Sequence, residues 1–228
     1  MNDQIYEGRN ELSQLLAEVY AYDGGEKGWQ GVIDEFAKYQ LSPPYITGIH
    51  DRLTKYLRVT PALLGEDMFR EYCPSKMSVI YDPLMAPGIG CNAFPDANVS
   101  WPTVFIVGPW TTEEGLRTCL SHELMHPYLN TLRERSGTLR DALERTASCM
   151  KSVKGNKWGY DDWSSYFFEE FIRATTSKIE GGRQTQFQHH GVILRVLKDY
   201  EKSDWSLEQL LLRTLEQIPD TKIERGAK

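Results

Sequence analysis

The sequence has no pair of cysteines at C-x-x-C spacing, since Cys73, Cys91, Cys119 and Cys149 stand far apart. That excludes a structural zinc knuckle and a thioredoxin-type redox site, and free thiols are the expected state. No run approaches the ~18 apolar residues that a membrane-spanning helix needs. The opening MNDQIYEGRNELSQLL lacks the charged-then-apolar order of a secretory leader. A cytoplasmic chain with no membrane partner is therefore expected. Positive charge is not in excess: 26 Lys and Arg against 32 Asp and Glu leave −6, with no long basic stripe. A nucleic-acid partner is not expected. Internal repeats and low-complexity segments are absent as well.

What is present is enough apolar residue, 40% of 228, to bury one substantial core. The expected organisation is a single domain, 1–228, with a helical part at 1–75, a sheet and motif helix at 76–135, and a helical part at 136–228. Leu12, Leu15, Leu16, Val19 and Tyr20 recur at helical spacing up to the Gly24-Gly25 pair. Helices are also expected around 28–40 and 49–72, punctuated by Pro43-Pro44 and Pro61 and stopped by Pro74. From 77 to 108 the runs MSVIYD, GIGCNAF and TVFIVG are short and β-prone, separated by Pro, Gly, Asn and Asp. The fold class expected is α+β, predominantly helical with a small mixed sheet before the motif helix. Thr111 and Glu114 offer a capping box at the head of that helix. Leu207, Leu210, Leu211, Leu215 and Ile218 mark a last helix, capped by Ser206 with Gln209.

The chemistry concentrates in HELMH, residues 122–126. Histidines four apart on a helix lie one turn above each other, so His122 and His126 can converge on one tetrahedral Zn²⁺. Glu123 is turned by about 100° from the first histidine, which puts its carboxylate beside a metal rather than on it. There it suits a general base that takes a proton from activated water. A chance H-E-x-x-H arises in on the order of one chain in a hundred of this composition. The blander account is two exposed or locally bonded histidines on an ordinary helix. Pro127 follows the second histidine, removes an amide bond back to Glu123, and should bend or end the helix.

A zinc site of this type needs a third protein ligand. HPYLNTLRERSG, after the second histidine, has no H-x-x-G-x-x-H continuation, so the ligand must come from farther on. The segment WSSYFFEEFIRATTSKI supplies Glu169 and Glu170, and adjacent helical residues cannot both face one ion. The apolar face of this helix runs through Phe167, Phe168, Phe171, Ile172 and Ile179. Glu169 lies nearly opposite its centre and Glu170 at its border, so by pattern alone Glu169 could be a solvated acid. HELMHPYLN followed some forty residues later by EEFIRA resembles the gluzincin arrangement of zincin metallopeptidases. It is most similar to an uncharacterised bacterial family of HExxH domains with an "HE..HP..N" segment and an "E..(V/I)RA" helix. The resemblance is strongest over residues 100 to 180. It implies a zincin-like domain and puts the ligand four residues before Arg173, on Glu169, with Glu170 as runner-up.

Peptide hydrolysis also needs a donor for the developing oxyanion. His189, His190, Tyr160, Tyr166 and Arg173 are the candidates, each with a blander reading as a packing or surface residue. His190 is preferred because it follows the ligand helix, as a late donor does in many gluzincins. The run Thr103 to Val107 is either an edge that aligns an extended substrate or an ordinary buried strand. Asn130 could hold a ligand in place or simply be a polar residue late in the helix. Cys119 reads as a small buried hydrophobe, and His50 has no partner pattern. The expected activity is zinc-dependent hydrolysis of a peptide or protein substrate, with His122, His126 and Glu169 on the metal and Glu123 as base. The alternatives are a zincin-like protein that binds a peptide or partner without turnover, and a helical interaction protein in which HELMH is accidental.

Overall fold

The computed structural model describes residues 43–66, 69, 77–81, 90–93, 103–107, 113–153, 159–181 and 187–218. All belong to the unit Pro43–Lys228. The expected helices over 12–20 and 28–40, the Pro74 stop and the Thr111 cap lie outside the described residues.

Helix α1, Pro43–Leu57, opens on the two prolines read as punctuation. Proline suits the first turn, where its missing N–H would have had no intrahelical partner. The short α2, Pro61–Leu64, begins the same way, with Thr60 as its N-cap. Three strands follow, β1 Met77–Tyr81, β2 Gly90–Ala93 and β3 Thr103–Val107. Then come α3, Glu113–Arg135, and α4, Gly137–Thr146, capped by Ser136 and continued by a 3-10 turn at Ala147–Ser152. Helix α5, Trp163–Glu180, is capped by Asp162 and ends on Gly181 at φ 79, a left-handed conformation that glycine adopts without a Cβ penalty. Helix α6, His190–Tyr200, and α7, Leu207–Gln217, complete the chain, and α7 carries the expected Ser206–Gln209 capping box.

The α+β expectation is corrected, because the described residues are predominantly helical. Every buried apolar side chain of the described core belongs to a helix or to a turn beside one. The strands, four or five residues each, form one small three-stranded sheet, whereas the described core is helix packed on helix. Local β-propensity marked those runs correctly as extended, but a fold class is decided by which faces bury each other. Thr103–Val107 pairs on both sides, parallel with β1 and antiparallel with β2, so it is not an edge that could take a substrate strand.

Helices α3 and α5 run antiparallel along the centre, as their side-chain contacts show in order. Arg133 Nη1 donates to Ser164 Oγ at 3.2 Å, Thr176 Oγ1 meets Met125 Sδ at 3.8 Å, and Ser121 Oγ donates to Glu180 Oε1 at 2.8 Å. Glu180 also draws in Arg117 Nε at 2.6 Å and Arg52 Nη2 of α1 at 3.2 Å. One buried carboxylate thus ties three helices at one end of the pair. Pro127 does not end α3, which continues to Arg135. Pro127, Tyr128, Leu129, Thr131 and Leu132 are all buried, and their packing offsets the one lost backbone bond. Arg58, at φ 53, donates to the carbonyls of Tyr200, Ser203 and Trp205 at 3.1, 2.7 and 2.7 Å, which fixes the α6–α7 turn to the end of α1. No helix among the described residues is long and apolar enough to cross a membrane.

Phe171, fully buried on α5, holds the back of this helix against the core. Phe171→Ala should cost about 3–5 kcal/mol in urea unfolding, and a loss below about 1 kcal/mol would mean that the face does not carry the packing assigned to it.

Candidate metal centre

The centre is built where α3 and α5 face each other. Helical periodicity brings His122 and His126 together, with their Nε2 atoms 3.2 Å apart. Glu169 on α5 faces both rings, its Oε1 3.4 Å from His122 Nε2 and its Oε2 3.7 Å from His126 Nε2. Donor atoms 2.0–2.2 Å from a tetrahedral zinc lie about 3.3–3.6 Å from one another. The histidine nitrogens, 3.2 Å apart, come within about 0.1 Å of that spacing, and Glu169 approaches each ring with a different oxygen, so the donors fit the ion in kind and come close to its spacing.

Glu123 takes a different place. A carboxylate oxygen of Glu123 and ring nitrogens of both histidines lie within 4.8 Å of one another, as a metal-binding group could. Yet Glu123 Oε1 is 4.0 Å from His122 Nε2, farther than Glu169 is from either histidine. Glu169 is thus the carboxylate nearer to the histidine pair, and Glu123 stands beside it, itself buried at 6% exposure.

Glu169 and Glu170 are only 5% and 0% exposed, so neither is the solvated acid that the helical pattern allowed. They are separated by their partners. Glu170 Oε2 lies 2.9 Å from His189 Nδ1, and its Oε1 accepts the His189 backbone N–H. Glu169 turns to the histidine pair and is held there by Arg173, whose Nε donates to Oε1 at 2.6 Å. The Tyr160 hydroxyl joins the same group through hydrogen bonds with Glu169 and Arg173.

The charges follow from this crowding. Burial alone would raise the Glu169 carboxyl, but hydrogen bonding and charge from His122, then the charges of Arg173 and His126, hold it down at about 2. Burial and the neighbouring His122 push His126 down to about 4 against the pull of Glu169. Its imidazole is therefore neutral near pH 7, the form that ligates a metal. Burial, followed by the Glu169 charge, raises the Tyr160 hydroxyl to about 12, so it remains a donor.

Of the five oxyanion donors weighed from sequence, Tyr160 and Arg173 meet Glu169. His190, the preferred one, sits in the first turn of α6 at 3% exposure, lowered by burial against the charge of Glu170. The structure groups it with Glu170 and His189. Tyr166 is edge-on to Tyr160 at 6.2 Å, and Asn130 lies partly exposed one turn beyond His126. Cys119 and Cys149 are buried thiols, and His50 packs edge-on against Tyr128 at 6.3 Å. Phe187, under the Arg173 guanidinium at 5.5 Å, drew no notice in the sequence, where no spacing rule links it to the motif. The Glu169–Arg173 pair, by contrast, has the i, i+4 spacing of helical ion pairs. No family model, curated protein or solved structure matches the chain.

Both shifts make the metal-free protein sensitive to acid. A histidine whose folded pKa lies below its unfolded one binds its proton more readily when unfolded, so His126 subtracts stability as pH falls from about 6.5 to about 4. Glu169 subtracts more as pH falls from about 4.5 to about 2. Thermal melts of metal-free protein should therefore decline over the first window, and His126→Gln should flatten that decline. An equally steep decline in the variant would refute the burial assigned to His126.

Proposed function

We propose that the chain is a zinc-dependent hydrolase acting on peptide bonds. The observation that carries this reading is the convergence of His122 and His126, 3.2 Å apart, with the Glu169 carboxylate at 3.4 and 3.7 Å from their rings and a fourth group, Glu123, buried beside them. Those three side chains would hold the ion. When bound, zinc supplies Lewis acidity, polarising a carbonyl and making water acidic enough to ionise near neutral pH.

The chain's own residues perform the remaining work. Glu123 is the general base: its carboxylate takes a proton from the attacking water as oxygen bonds to the carbonyl carbon. It returns that proton to the amine nitrogen as the C–N bond breaks, so one water is consumed and one acid and one amine leave. Tyr160 is the donor suited to the developing oxyanion, because its hydroxyl stays protonated and is held at the site by Glu169 and Arg173. Arg173 keeps Glu169 ionised and aimed at the histidine pair. Low exposure around Glu123 and Glu169 strengthens each of these interactions. The substrate class is a peptide or protein, with no nucleic acid and no membrane involved.

Elemental analysis of purified protein should find one zinc per chain, lost in His122→Ala and in Glu169→Ala. Wild-type protein without zinc would overturn the reading. Glu123→Gln should keep zinc and lower cleavage of unstructured peptides by about 10²–10⁴-fold. Tyr160→Phe should lower kcat with little change in zinc content, and an unchanged kcat would remove Tyr160 from the mechanism.

A further inference from the structure

Glu170 is as deeply buried as any described residue, at 0% exposure, and both of its oxygens turn to His189 rather than to the histidine pair of α3. A buried carboxylate is costly unless its oxygens are satisfied. Both are satisfied by one residue: Oε1 accepts the backbone N–H of His189, and Oε2 lies 2.9 Å from the Nδ1 of the same His189. The ring is fixed from its other side, where the Gln188 amide nitrogen is 3.2 Å from Nε2. An amide N–H donating to Nε2 leaves the ring proton on Nδ1, pointing at Glu170. Trp163 closes the pocket edge-on at 5.7 Å. His189 itself is 2% exposed and is the residue from which α6 starts.

A two-point grip on one residue fixes both the position and the direction of the chain there. Two residues earlier stands Phe187, its ring 5.4 Å from Tyr166 and under the Arg173 guanidinium at 5.5 Å. Arg173 in turn places its Nε 2.6 Å from Glu169 Oε1. From this continuous set of contacts we propose that Glu170 and His189 are a positioning pair for Glu169, acting through Phe187 and Arg173. The inference rests on the reading of Glu169 as a metal ligand. It assigns the adjacent acid pair two duties: Glu169 holds the ion, and Glu170 holds the corner that aims Glu169. The helix alone cannot do this, since a glutamate has three side-chain torsions and needs an outside partner to select one orientation.

The test is Zn²⁺ affinity, measured by competition with a chromogenic chelator on folded protein. His189→Leu, which removes the side-chain donor to Glu170, should weaken zinc binding by about 10–100-fold, the usual range for partners of a ligand. His189→Asn, whose amide can still donate to Glu170, should recover most of that loss, which a simple packing role would not do. In an Arg173→Met background, His189→Leu should add little, because the path has already been cut. Should His189→Leu fail to fold, Phe187→Leu leaves the pair intact and removes the ring under Arg173, with the same direction expected. The inference is overturned by wild-type affinity in His189→Leu or Phe187→Leu, by equal loss in His189→Asn and His189→Leu, or by losses that multiply fully in the double variant. Wild-type protein that takes up no zinc would instead sink the proposed function itself.

Discussion

The docking of α5 against α3 is the contact on which the rest of the site depends. Two histidines on one helix are brought together by periodicity alone, but the Glu169 carboxylate that faces them arrives from a different helix. Its place is set by how the two helices lie along each other. That register is secured at both ends and in the middle: by Ser164 with Arg133, by Thr176 with Met125, and by Glu180 with Ser121 and Arg117. A slide of one helical turn, about 5.4 Å, would carry Glu169 out of reach of both rings. The polar groups between the helices therefore determine where the chemistry can occur, whereas the apolar core behind them determines whether the helices form.

Much of the centre was legible because the helix has a known period. HELMH needed only the i, i+4 rule to bring His122 to His126 and to set Glu123 aside, and the structure has them 3.2 Å apart with Glu123 beside them. The choice between Glu169 and Glu170 was not legible from pattern. An apolar-face argument assumes one wet side, but α5 buries residues all round, from Tyr166 through Thr176. Glu170 was placed by His189 at the start of α6, and Glu169 by Arg173 on its own helix together with the histidines of α3.

His190 illustrates the same limit from another side. Order along the chain suggested a donor after the ligand helix, but its environment is set by Glu170, at the corner where α6 begins. Tyr160, which precedes the ligand helix, meets Glu169 instead. The fold class failed for a related reason: β-propensity speaks of single strands, whereas class depends on which layers cover each other, and the described core is helix on helix. Pro127 was expected to bend or end the helix because propensity was judged without burial, and α3 runs on past it to Arg135 with twelve buried residues along its length.

On the proposed zinc reading, the division of the site between α3 and α5 has a consequence for the order in which it would come into being. During synthesis the histidine pair emerges first, and Glu169 follows about forty residues later. A chain at that stage would offer the ion the histidine pair and Glu123 but not the carboxylate that comes from α5, and so a looser grip on zinc. Firm uptake has to wait until α5 is made and docked. Commitment to an ion would thereby be deferred to the finished fold, and a misassembled chain would be marked by its failure to keep one.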